Sequence, residues 1–586
     1  MCAGIPEGKC SSRLRGMVDA AKLFDPLTTI RRRRTAPLVL ELDLTEGMID
    51  EPPGDPLSQI MAMRRQRLFD IVEGIRRGAH DPRVKALIVK IGSQSLGMAL
   101  VQELRQAVAM FRRAGKHTVA WSESFGEFGP GSLPYYLATA FDEIALLPSG
   151  SVGLTGLRVE NLFFAEALEK LGVDYQGGAR HEYKTALNMF TERGFTDAHR
   201  EASGRIVESL TEQLVAGISS GRDLSEERVR ELIDQGPFLA TEAVEAGLVD
   251  KVAYRDEIYS DLLDRYSADG TPAHLQYVSR YQRTRSLADR VSVAQRSGYV
   301  ALISGVGQIV TGRSRRSPLG GGAVMGSDTV AAAFRAARKD PNVRAVVFRV
   351  NSPGGSYTAS DVIWREVVLT SQAGTPVVVS MGDVAGSGGY FIAAGADVII
   401  AQPGTITGSI GVVVGKAVLS TMLAKLGVTS DWIDSGNHAG MFSPNRPFSE
   451  SEWERVNTML DHIYDDFVGK VAEGRKMTRD QVHEVAKGRI WTGQDACERG
   501  LVDEVGGLET AIRIARDRGG LPPSAPVRHF PQLGPLERLI PAESSEDRTA
   551  QAQLRLSGWG PLAELSARLG LPAAGPLVMP GTWEIR

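Results

Sequence analysis

The chain is poor in cysteine. Three occur in 586 residues: Cys2, Cys10 and Cys497. Two fall in the first ten positions and one in a segment with helical periodicity, which excludes a disulfide framework. No Cys/His group has the spacing of a metal site. This usage fits a reducing compartment. An excess of charge of one sign is also lacking. The 67 Lys and Arg residues against 70 Asp and Glu leave a formal net charge of −3, so no global field favours nucleic acid. The local run Arg31–Arg34 reads as the solvated flank of a terminal tail, with contact to an anionic membrane surface as the sharper alternative. No stretch approaches the roughly 18–20 consecutive apolar residues of a membrane span. The first residues, MCAGIPEGKCSSRLRG, lack the apolar core of a signal peptide. With no transmembrane anchor visible, the expected location is cytoplasmic or peripheral on the cytoplasmic membrane.

What is present is a repeat. The composition, 42% hydrophobic and 23% charged, is that of a globular protein, and the length exceeds what one core supports. The segment GPGSLPYYLATAFDEIALLPSGSVGLTGL (129–157) aligns at an offset of 255 with the stretch around 387, pairing Tyr135 with Tyr390, Asp142 with Asp397, Pro148 with Pro403, Gly153 with Gly408 and Gly156 with Gly411. Four more segments match with slowly drifting offset. They are PLVLELDLTEGMI with GYVALISGVGQIV, DPRVKALIVKIGSQS with DPNVRAVVFRVNSPG, LEKLGVDYQ with LAKLGVTSD, and TEAVEAGLVDKV with GQDACERGLVDEV. Ordered self-similarity of this kind marks a duplication. The expected organisation is a disordered basic tail (1–36), a first repeat (37–278), a charged connector (279–298), a second repeat (299–518) and a loosely packed Pro/Ala-rich tail (519–586).

Within each copy, short β-branched runs alternate with helical patterns. Residues 345–351, 376–383 and 397–403 read as buried strands, and 327–339, 357–372 and 450–474 as helices. This alternation predicts an α/β fold with crossover connections.

Two glycine-rich turns carry the chemistry. In VNSPGGS (350–356), Gly354 and Gly355 follow a strand and precede a helix, where backbone amides can face a ligand and stabilise an oxyanion. One strand later, AGSGGY (385–390) sets Ser387 among glycines between strand and helix. That is a loose match to a nucleophile elbow. A serine nucleophile needs a base. None of the nine histidines lies between Ser387 and His438, and no Asp spacing supports a triad. A buried lysine with a depressed pKa is the alternative.

HEYKTALNMF (181–190), VNSPGGS, GDVAGSGGY and TGSIGV occur in this order, and together they resemble the long, duplicated form of the signal peptide peptidase A (protease IV) family over roughly residues 37–518. The resemblance implies a tandem duplication of a ClpP/crotonase-like α/β domain and a serine endopeptidase with a Ser-Lys dyad. It implies Ser387 as nucleophile, Lys184 as general base and Ser409 as the residue orienting the lysine. The oxyanion donors would be amides of Gly354, Gly355 and Gly388. It further implies apolar peptides such as cleaved signal peptides as substrates and a homo-oligomer, taken as a tetramer; such a dyad needs no metal or organic cofactor, and the charge balance leaves no nucleic-acid partner expected. Family members usually carry an N-terminal anchor; with none visible here, peripheral membrane contact is expected. Two rivals remain at this point: a crotonase-like acyl-CoA enzyme, which needs no serine nucleophile, and an inactive oligomeric scaffold.

The copies differ where the site should be. Copy one has Ser95 and Leu96 in place of Gly354 and Gly355. It keeps Ser132 opposite Ser387 but has Leu133 and Pro134 in place of Gly388 and Gly389. Proline donates no amide, so Ser132 reads as a relic. Copy two has no lysine between Leu426 and Arg446, only His438. One composite site per chain is expected, with Lys184 from copy one and Ser387 from copy two.

Overall fold

The computed structural model describes residues 36–45, 47–49, 66–93, 96–268, 271–283, 298–316, 323–530 and 576–579. Cys2, Cys10, Arg31–Arg34 and Ser95 lie outside these, as do nearly all of the expected N-terminal tail, most of the connector and most of the C-terminal stretch.

The strand and helix signals resolve into two parallel sheets of one design. In the first, strands run in the order Lys251–Val252, Glu143–Leu146, His117–Ser122, Val84–Lys90, Leu38–Asp43, His274–Tyr277. In the second, the corresponding order is Glu504–Val505, Val398–Ala401, Val377–Gly386, Val343–Ser352, Tyr299–Val306, Val527–His529. Every neighbouring pair along both series is parallel. The duplication extends to single hydrogen bonds. Tyr135 Oη donates to Leu248 O at 2.7 Å and Tyr390 Oη to Leu501 O at 2.8 Å. The carboxylates of Asp250 and Asp503 accept from the amides of Ile144 and Ile399 and pair with Arg222 and Arg475.

Helices pack on these sheets through apolar stripes. In Ser327–Lys339 the buried Val330, Ala333, Phe334 and Ala337 recur at helical spacing. Tyr357–Gln372 is N-capped by Ser356, whose side chain accepts from Ala359 N. Glu450–Arg475 begins with a capping box between Ser449 and Glu452.

The second sheet departs from the first at one strand. Val377–Gly386 is ten residues long, where His117–Ser122 has six. The extra length runs on past residue 383, and Val384–Gly386 pairs with Ile406–Gly408. That strand pairs in turn with Ile490–Thr492, antiparallel. The extension delivers the chain to Ser387.

Among the described residues, copy one reaches into copy two at several places. Asp174–Arg180 pairs antiparallel with Val412–Val418 over the full length of both strands. Helix Asp197–Arg222 lays Ser209 Oγ 3.0 Å from Thr492 Oγ1, and its Arg205 pairs with the buried Asp495 at 3.0 Å. Beneath the sheets, Glu103 on helix Met98–Arg113 pairs with Arg349 on strand Val343–Ser352 at 2.6 Å, both buried.

The C-terminal stretch corrects an expectation. Residues 519–586 contain two packed strands, Val527–His529 at the edge of the second sheet and Leu577–Val578 beside Gly354–Gly355. Strands of two or three residues among prolines carry no readable periodicity, so composition alone pointed to a loose tail. Similarly, residues 279–283 of the connector continue a helix that starts at Val278 of the first repeat, with Val278 and Tyr281 buried.

Glu103→Ala leaves a buried guanidinium without its carboxylate, which costs about 3–5 kcal/mol. A lowered urea midpoint of unfolding is the expected outcome; an unchanged midpoint removes this pair from the contacts that hold the copies together.

Candidate active site

Ser387 sits between the extended strand Val377–Gly386 and helix Gly388–Ala393, at φ 53° and ψ −116°. Left-handed backbone is uncommon for a non-glycine residue and is held only where the surroundings enforce it. Here the Ser387 amide donates to Gly408 O at 2.8 Å, and Ser387 O accepts from Phe391 N at 2.9 Å. Ser132, its counterpart, lies inside helix Ser132–Ala138, and its side chain is tied to Gly156 O and Thr155 N at 2.9 and 3.2 Å. It is not among the residues with positive φ. Copy one has lost the elbow as well as the glycines.

Lys184 arrives from the other copy. It follows strand Asp174–Arg180, which the pairing with Val412–Val418 carries alongside copy two. A one-turn loop then brings its backbone against Gly488, at φ 84°, where a Cβ would lie 2.5 Å from the Lys184 amide nitrogen and Cβ. Lys184 Nζ lies 2.8 Å from Ser387 Oγ, 3.0 Å from Ser409 Oγ and 3.0 Å from Ser409 O. Ser409 also has positive φ, 51°, and its amide donates to Arg489 O at 2.7 Å. The side chains of Lys184, Ser387 and Ser409 are all buried.

Burial holds the Lys184 amine well below its usual 10.5. Desolvation penalises the ammonium, and no Asp or Glu among the described residues pairs with it. A neutral amine has two N–H donors and one lone pair. Three oxygens surround it, Ser409 O, Ser409 Oγ and Ser387 Oγ, one for each of these positions.

The glycine pair lies beside this centre. Gly354 has φ 99°, and a Cβ on it would lie 2.7 Å from Gly388 N; a Cβ on Gly388 would lie 3.1 Å from Gly355 N. The Gly354 amide is engaged with Ser352 Oγ at 3.2 Å, which leaves Gly355 and Gly388 as the converging amides. His438 is exposed and bonded to Ser451 Oγ at 3.2 Å. Ser352 and Gly488 support the site without having been singled out from sequence, and Gly408 was read there only as a repeat position. Only the positive φ of the two glycines and the local bond to Gly354 reveal them.

Lys184→Met removes the titrating amine. The folded pKa lies below that of the unfolded chain, about 10.4. Between the two values the unfolded chain binds more protons, so native stability rises with pH. The wild type is therefore expected to gain on Lys184→Met as pH rises, by up to about 1.4 kcal/mol per pH unit in that window. Parallel stability–pH curves for the two proteins would show that Lys184 is charged in the fold.

Comparison with known proteins gives a consistent result. Peptidase family S49 matches residues 110–267 and 370–521. The chain is 31% identical over 466 residues to "Serine protease SPPA, chloroplastic" of Arabidopsis thaliana, covering 78% of this chain and 66% of that protein. It is 31% identical over 503 residues to Protease 4 of Salmonella typhi, covering 83% of this chain and 79% of that protein. Among solved structures, a ClpP1 from Listeria monocytogenes aligns at 15% identity and a TM-score of 0.24, covering 39% of this chain and 99% of that one. No helix among the described residues is long and apolar enough to cross a membrane. The chain belongs to peptidase family S49 and is a serine-type peptidase.

Proposed function

We propose that this chain is an endopeptidase with a Ser-Lys dyad divided between its two copies, each a ClpP/crotonase-like unit. The observation that carries the reading is the 2.8 Å approach of the buried Lys184 Nζ to Ser387 Oγ. In this mechanism the neutral amine takes the Ser387 proton as Oγ attacks the peptide carbonyl. The oxyanion rests on the amides of Gly355 and Gly388, while Gly354 shapes the turn that presents them. Lys184, now an ammonium, protonates the leaving amine, and water then hydrolyses the acyl-enzyme. Ser409 is a positioning residue. By accepting both N–H bonds of the amine it aims the lone pair at Ser387.

No step requires a metal or organic cofactor. The substrates are apolar peptides, with cleaved signal peptides as the class the family resemblance favours. Assembly as a homotetramer, peripheral contact with the cytoplasmic membrane and the absence of a nucleic-acid partner complete the proposal.

Ser387→Ala and Lys184→Ala are each expected to lower the hydrolysis of an unstructured apolar peptide by about 10³-fold or more, with assembly intact. Ser132→Ala leaves the rate unchanged. Wild-type activity falls as pH drops through the depressed Lys184 pKa, because the ammonium cannot act as a base. Full activity in Lys184→Ala would refute the dyad. Failure of a fluorophosphonate to label Ser387 would favour acyl-CoA chemistry or an inactive scaffold.

A further inference from the structure

The groove beside Ser387 is already occupied by a segment of the chain itself. Leu577–Val578 pairs antiparallel with Gly354–Gly355, Val578 opposite Gly354 and Leu577 opposite Gly355. Two further main-chain bonds fix the ends. Val413 N donates to Pro576 O, and Met579 N donates to Pro353 O, both at 2.9 Å. The segment Pro576–Met579 is thus held from two edges, by the glycine pair on one side and the start of strand Val412–Val418 on the other.

The Met579 side chain and the Leu577 carbonyl face the catalytic centre. A Cβ on Gly386, the residue before Ser387, would collide with the Met579 side chain. A Cβ on Gly354 would collide with Leu577 O and would lie 2.7 Å from Gly388 N, so that carbonyl and this amide converge on one face of Gly354. Leu577 and Met579, two residues apart and therefore on the same side of an extended strand, are 0% and 2% exposed. Leu577 joins the core of the second copy, and Met579 packs in the cluster containing Ile406 and Ile490. Pro580 restricts Met579 to extended backbone, which lowers the entropy lost on pairing.

A peptide added to a strand edge gains affinity from main-chain bonds and selectivity from pockets for alternate side chains. Pro576–Met579 has both. We propose that this segment is a built-in pseudo-substrate, which competes with external peptides for the groove at Ser387. The pockets it fills select extended peptides with large apolar side chains two residues apart. This inference rests on the assignment of Ser387 as nucleophile.

The test compares the full chain with a chain ending at residue 575 and with the double variant Leu577→Asp, Met579→Asp. Each is assayed for hydrolysis of an unstructured apolar peptide and for the rate of fluorophosphonate labelling at Ser387. A tethered segment acts at roughly millimolar effective concentration, so removing it is expected to lower KM about tenfold or more and to speed labelling, with kcat little changed. A synthetic peptide spanning residues 575–582 should inhibit the shortened chain competitively. If the shortened chain fails to fold, the double variant and inhibition of the full chain by added peptide decide. Equal KM and equal labelling rates in the full chain and the folded variant, or no inhibition by the peptide, would overturn the pseudo-substrate while leaving the dyad intact. No labelling of Ser387 in any form would overturn both.

Discussion

A primary amine buried against a serine hydroxyl is the constraint around which this structure is organised. An ammonium removed from water is costly unless it is paired, and no carboxylate among the described residues pairs with Lys184. The neutral amine avoids that cost only if its two donors and lone pair are all satisfied. Ser409 O, Ser409 Oγ and Ser387 Oγ, each within 3.0 Å, do this. The surroundings then have to hold a short chain segment from one copy at a fixed depth in the other. The strand pair Asp174–Arg180 with Val412–Val418, the docking of Asp197–Arg222 on Ile490–Thr492 and the close approach at Gly488 all serve that placement.

The duplication explains how such an arrangement is reached. The two sheets share strand order and even matching Tyr-to-carbonyl and Arg–Asp contacts. Their cores are independent enough to be recognised, yet Ile406 and Ile490 of copy two pack into the cluster of copy one. Upon this common frame, small changes decide chemistry. Four extra residues in one strand and a left-handed serine make an elbow in copy two. In copy one the equivalent serine sits in ordinary helix with its hydroxyl bonded to local backbone. Copy one, whose serine has no such turn, instead places Lys184 against Ser387.

The same strand logic shapes the groove. Gly354 and Gly355 present an open edge because any side chain at Gly354 would collide with what lies across it. An open edge attracts another strand, and here the chain provides one from its far C-terminal stretch. Groove, glycine amides and the turn at Ser387 are therefore neighbours along one short strand edge rather than separate devices.

Much of this was legible in the sequence. Local and repeated signals were enough for the duplication, for the strands at 345–351, 376–383 and 397–403, and for the helices at 327–339, 357–372 and 450–474, because periodicity and turn chemistry are short-range properties. The glycine pair and GSGG also stand out, as positions where only small residues fit. Lys184 was different: as a lysine in a loop it reads as a solvated charge, and only the repeat together with the family resemblance selected it. Its burial, its distance to Ser387, the engagement of Gly354 by Ser352 and the return of Pro576–Met579 to the groove depend on pairing between segments far apart in the chain. Such pairing leaves no local pattern. Two matching α/β halves with unequal glycine turns follow from the order of residues alone; that the amine of one half is desolvated against the serine of the other follows from the folded arrangement, since desolvation is a property of everything that surrounds a group and not of the residues beside it in the chain.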